Sequence, residues 1–187
     1  MKTLHLTSFV LAALLLGACG TATTHSPARD GHAAHLHDAP AQTQAAADPV
    51  APAFEAYFRL KDALVAGDSV QVPKLAVALD GTFHNMDRNK LSAAQQAAWD
   101  ELMATIMEPL HPFGVTKGLK EQRALFAQLT PGMLQLAQLT DLDAPLYLMH
   151  CPMYPGGADW LSRERAVRNP FYGAAMMTCG SVKEVIG

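Results

Sequence analysis

Between Phe54 and Leu136 apolar residues recur at intervals of three and four, stripe after stripe, and that period belongs to helices packed on one face. Phe54, Tyr57, Phe58, Leu64 and Val65 form the first stripe, with the aliphatic stem of Lys61 completing it and Gly67 as a suitable stop. Val72, Leu75, Leu79, Phe83 and Met86 form the second. Pro73 is compatible with it, because a residue of the first turn has no intrahelical N–H to lose. Ser92 followed by Gln95 has the spacing of a capping box, ahead of Trp99, Leu102, Met103, Ile106 and Leu110. Pro109 and Pro112 are expected to end that helix. Leu119, Gln122, Phe126, Leu129, Met133 and Leu136 form a fourth, kinked or recapped at Thr130-Pro131. Four amphipathic helices with short connections predict an all-α fold, an antiparallel four-helix bundle.

Beyond Asp141 the period is lost. "PLYLMHCPM" is extended and apolar, "GGADWLSRERAV" reads as a short helix, and "NPFYG" is turn chemistry ahead of "AAMMTCGSVKEVIG". The expectation is an irregular C-terminal cap containing a short extended segment, so that bundle and cap make one domain over residues 53–187.

The chain ahead of the helices has a different composition. Residues 19–52 are Ala, Thr, Pro, Gln and His with few large apolar side chains, too little burial to offset chain entropy, and read as a disordered tether. A flexible chain of that length reaches on the order of 30–35 Å. Within it His25, His32, His35 and His37 form a secondary, weak site for Cu(II), Ni(II) or Zn(II), or else mark a polar linker that contains histidine. Residues 1–18 combine Lys2, an apolar run from Phe9 to Leu16, and Leu16-Gly17-Ala18 before Cys19. This resembles a bacterial lipoprotein signal peptide, which implies cleavage before Cys19 and lipid attached to its sulfur. Gly20, standing where an Asp would retain the protein at the inner membrane, points to a periplasm-facing lipoprotein of the outer membrane in a Gram-negative envelope. With a net charge of -3 the chain has neither the basic surface of a nucleic-acid binder nor an acidic tail.

Lipidation of Cys19 leaves two of the three cysteines, Cys151 and Cys179, in an exported protein. Thiolate, thioether and imidazole donors together suit Cu(I) or another soft ion. Cys151 and Met153 flank Pro152, and Met176 precedes Cys179 by three residues, so a site of Cys151, Cys179, Met153 or Met176, with His150 nearby, is stereochemically reasonable. In a strand His150 points away from Cys151, which favours a surface role for it. The rival reading is a structural disulfide between the two cysteines, worth ~3 to 4 kcal/mol in the loop-entropy model. His84, Met86 and His111, near helix ends, are candidates for a second soft site, whereas Met103, Met107, Met133 and Met149 read as packing. No C-x-x-C, C-x-x-C-H, H-E-x-x-H or G-x-S-x-G is present, and adjacent His150 and Cys151 face opposite ways, so an enzyme is not expected. Trp160, Phe171 and Tyr172 would serve a docking module if they were exposed.

"YFRLKDALVAGD", "EQRALFAQL", "CPMYPGGADWLS" and "RNPFYGAAMMTCGSV", in that order, resemble the family known as domain of unknown function 3347. Its members occur as small exported proteins and as domains attached to periplasmic adaptor subunits of copper and silver efflux pumps. The resemblance implies heavy-metal association. Together these observations predict a soft-metal lipoprotein, most simply a Cu(I) buffer or donor to efflux components, attached to the membrane by lipid and without a nucleic-acid partner. The alternative is a docking module for an efflux or envelope complex in which Cys151 and Cys179 form a disulfide.

Overall fold

The computed structural model describes residues 48–187. The signal peptide, Cys19, the four histidines at positions 25, 32, 35 and 37, and nearly all of the tether lie outside the described residues.

Helix α1 (Ala51–Ala66) starts with Pro52 in its first turn, where no N–H is lost, and stops at Gly67, whose φ of 74° closes a left-handed cap on Ala63 and Leu64. Val50, just ahead of it, is fully buried. Helix α2 (Gln71–His84) follows after a turn in which the Asp68 carboxylate accepts the N–H groups of Val70 and Gln71. Helix α3 (Ala93–Phe113) opens on the capping box: Ser92 N–H donates to Gln95 Oε1 at 2.9 Å and Gln95 N–H donates to Ser92 Oγ at 3.2 Å. Pro109 does not end α3, which runs through it to Phe113, and helix α4 (Leu119–Gln138) runs through Pro131. The α3–α4 contact is close because residue 132 is glycine: a Cβ there would come within 2.6 Å of the Ile106 side chain. Successive helices pack side by side and α4 returns to α1, enclosing Leu60, Leu64, Leu79, Leu102, Ile106, Phe126 and Leu129.

The all-α expectation is overturned after α4. Strands β1 (Leu146–Cys151), β2 (Ala158–Ser162) and β3 (Ser181–Ile186) form an antiparallel sheet in the order β2-β1-β3, so the fold is mixed, four helices with a three-stranded sheet. The segment that reads as a short helix is β2. A strand of five residues is too short to show a period of its own, and the deciding signal lies in Gly156 and Gly157, whose φ values of 81° and 74° build the turn of a β1–β2 hairpin. Strand β1 is in register with β2 from Tyr147↔Ser162 to Cys151↔Ala158. The partners of Leu148 and Met149 in β3 are Glu184 and Val182, so the extra residue, Lys183, belongs to β3; consecutive residues Leu148 and Met149 of β1 are both buried, which hides the two-residue alternation of a half-buried strand.

One polar chain ties the sheet to the helices. Leu161 N–H in β2 donates to the Tyr57 hydroxyl (3.2 Å), Tyr57 lies 3.0 Å from Thr130 Oγ1, and Thr130 donates to Phe126 carbonyl oxygen (3.1 Å). Tyr57 is fully buried, and burial pushes its phenol well above the ordinary value against the opposing hydrogen bonds. Rings continue the connection: Tyr57 stacks on Phe126 at 5.1 Å, Phe126 meets Phe171 at 6.0 Å, and Phe171 meets Trp160 edge-on at 5.9 Å. Around this point Arg123 of α4 donates to Pro170 carbonyl oxygen (3.0 Å), and Arg163, beyond β2, pairs with Glu55 of α1 (2.7 Å).

Tyr57→Phe should destabilise the protein by about 1–3 kcal/mol in urea unfolding, because it keeps the ring and orphans the buried Leu161 N–H. Thr130→Val should cost less when combined with Tyr57→Phe than alone, since the two hydroxyls share one bond.

A buried thiol pair at the sheet end

Cys151 is the last residue of β1, placed by its pairing with Ala158 and fully buried. Cys179 arrives from the other side, just ahead of β3, and its position depends on two residues. Gly180 adopts φ 135°, and a Cβ there would lie 2.7 Å from His150 carbonyl oxygen and 2.9 Å from Trp160, so only glycine lets this chain come so close to β1. Buried Asn169 holds the preceding loop: its Nδ2 donates to Cys179 carbonyl oxygen (2.7 Å), and its Oδ1 accepts from Phe171 and Tyr172 N–H (2.7 and 3.2 Å). Cys179 N–H closes a turn on Met176 carbonyl oxygen at 3.1 Å.

The two Sγ atoms are 3.7 Å apart and unbonded. Two thiolates on one tetrahedral ion at metal–sulfur distances near 2.3 Å stand about 3.8 Å apart, whereas a disulfide requires about 2.05 Å. The sulfurs are thus placed at the spacing of two ligands and close enough to bond after a small rotation. They are not equivalent. Cys151 is sealed in the core, while Cys179 is half-buried and opens toward solvent. Burial and the neighbouring Cys151 push the Cys179 thiol up, and the main-chain N–H of Met153 works against them.

The other sequence-predicted ligands divide. Met153 meets Cys179 through its backbone, its carbonyl oxygen accepts the Tyr172 hydroxyl (2.7 Å), and its side chain is 59% exposed. Met176 touches the site through the turn at its carbonyl and is half-buried. His150 is on the opposite face of β1, with Nδ1 2.6 Å from Asp159 Oδ1 of β2; Lys183 of β3 donates to the other carboxylate oxygen at 2.7 Å. Burial opposes ionisation of Asp159, but the hydrogen bonds from Lys183 and His150 outweigh it and hold the carboxyl below its usual range. Among the described residues no three His, Cys, Asp or Glu side chains converge, so charged ligation here comes from the two thiols. His84 and His111 approach Asp80 at 3.4 and 3.6 Å, and Met86 belongs to a different cavity from the thiols. Trp160 and Phe171 are core residues, which removes them as a docking surface. Sequence reasoning missed Asn169 and Gly180, although the Asn-Pro and Cys-Gly pairs that contain them are the local signals for turns.

Residues 53–144 match DUF3347, described as a protein of unknown function. The DUF3347 segment begins inside α1, includes α2 to α4, and ends before β1. The thiol pair, with the C-P-M and later motifs, therefore lies beyond it, and the family match covers the helical part alone. No curated protein and no solved structure matches the chain significantly.

The raised Cys179 thiol makes stability pH-dependent in a definite direction. Above the ordinary value of 9.0 the unfolded thiol loses its proton while the folded one keeps it, so stability is complete below that pH and declines as pH rises through it. The unfolding temperature of the reduced protein should fall more steeply in wild type than in Cys179→Ser as pH is raised above 9.0.

Proposed function

We propose that Cys151 and Cys179 bind a soft metal ion as cargo, Cu(I) being the best fit, in a periplasm-facing lipoprotein that buffers the ion or hands it to efflux components. The observation that carries this reading is the unbonded 3.7 Å thiol pair with one sulfur buried and the other open to solvent. Soft thiolates select soft ions, and a pair without a third charged ligand favours a monovalent one. Each thiol that binds gives up a proton, so loading releases protons and strengthens as pH rises. The asymmetry orders the exchange. Cys179 meets the ion first, Cys151 completes the pair from inside the core, and release to an acceptor begins again at Cys179. Met153, whose main-chain N–H meets Cys179, carries an exposed thioether that would add a neutral donor.

Reduced protein should take Cu(I) from a chromogenic chelator, and Cys151→Ser and Cys179→Ser should each weaken binding strongly. Cu(I) at a hundredfold excess over its dissociation constant should stabilise the fold by ~2.7 kcal/mol. The same 3.7 Å separation favours one other reading, a structural disulfide in a docking module. That reading expects reduction alone to destabilise the protein and Cu(I) to have no effect, and such a result would overturn the metal reading.

The proposed anchor has its own test. Cys19→Ala should move the protein from the membrane to the soluble fraction; retention after a salt wash would count against lipid attachment.

A further inference from the structure

A second gathering of sulfur lies among the helices. Trp99, Met103 and Met107 recur every four residues on α3 and so share one face, and the chain leaving α2 brings Met86 against it. The three methionines, Phe83, His84, Trp99 and Arg88 line a cavity of about 260 Å³. Met86, Met103 and Met107 are only half-buried, unlike Met133 and Met149 in the core, so this methionine face is packed on one side and accessible on the other.

His84 is prepared to act as a ligand. Its Nδ1 lies 3.1 Å from the main-chain oxygen of Asp80, a contact that only a protonated nitrogen can make, and this leaves the lone pair of the neutral ring on Nε2. Asp80 Oδ2 is 3.4 Å from the same Nδ1, while Oδ1, buried and without a hydrogen-bond partner among the described residues, faces His111 Nε2 at 3.6 Å. A negative charge thus stands behind the imidazole. Arg88 is the cation of the lining, held over the Trp99 ring at 5.5 Å and 3.4 Å from Asp100.

We propose that this cavity is a second soft-metal site, in which the thioethers of Met86, Met103 and Met107 and Nε2 of His84 bind a monovalent ion of the Cu(I) or Ag(I) class. Neutral sulfur donors favour soft ions, and their lack of charge favours a single positive charge over the Zn(II) or Cu(II) that carboxylate and imidazole sets prefer. The site is independent of the thiols. Thioethers bind without releasing a proton and do not form a disulfide, so its occupancy is indifferent to the oxidation state of Cys151 and Cys179.

The test uses the full chain carrying Cys19→Ala, Cys151→Ser and Cys179→Ser, labelled with 13C at the methionine methyl groups and titrated with silver nitrate in chloride-free buffer. The methyl resonances of Met86, Met103 and Met107 should move along one binding curve while those of Met133 and Met149 stay in place. Met103→Leu with Met107→Leu conserves volume and should weaken the response of Met86 by about tenfold or more, the scale on which disturbing a metal site is felt. Arg88→Gln should tighten binding by removing the like charge. Three resonances that stay still throughout the titration, or a Met86 response unchanged by the paired leucine substitution in a folded variant, would overturn the proposal. Because no thiol is present, neither result depends on the outcome at Cys151 and Cys179.

Discussion

The Tyr57 hydroxyl is the buried polar point on which the arrangement of sheet and helices depends. It accepts from β2 and stands against Thr130 of α4, whose own proton goes to the backbone of that helix. Each group in this chain has one role, donor then acceptor, so reversing any link would leave a buried donor facing another donor. The bond also occupies the outer edge of β2, an edge that would otherwise present unpaired backbone to any passing strand. Since β1 is fixed to β2 by register, the position of Cys151 relative to the bundle follows from a tyrosine on the first helix.

Cys179 is controlled differently. Its place comes from a loop held by one asparagine and from a glycine pressed against Trp160 and the β1 backbone. One sulfur is therefore set by sheet register and the other by turn geometry. Such a pair is held by the sheet on the inner side and through a short turn on the outer.

The helices were legible because their determinants are local. Ser92 and Gln95, Gly67, and the stripe of Trp99, Leu102 and Ile106 each act within a turn or two of the chain. Proline was over-read: Pro109 and Pro131 are accommodated inside long helices whose packing outweighs the lost bond. The sheet was not legible, because β2 is too short to show a period, β1 buries the consecutive residues Leu148 and Met149, and β3 is mostly exposed. The cysteines stood out by their rarity, but their separation depends on Gly180 and Asn169, whose effects cross the sheet and leave no pattern in the sequence. The methionine face of α3 was visible as a stripe and looked like core, since periodicity reports direction and not how completely a neighbour covers it.

Strand β1 divides two kinds of chemistry. His150 and Cys151 are adjacent, yet the pleat sends one to an ion-paired ladder with Asp159 and Lys183 and the other to the sulfur pair. The ladder crosses all three strands on the face opposite the thiols and loses the Asp159 charge in acid, while the thiols answer to alkali, oxidation or soft ions. The backbone between them acts as an insulator. Substitutions that retune one face can accumulate without disturbing the other, and a sheet of three short strands thereby keeps its structural charges separate from its reactive atoms.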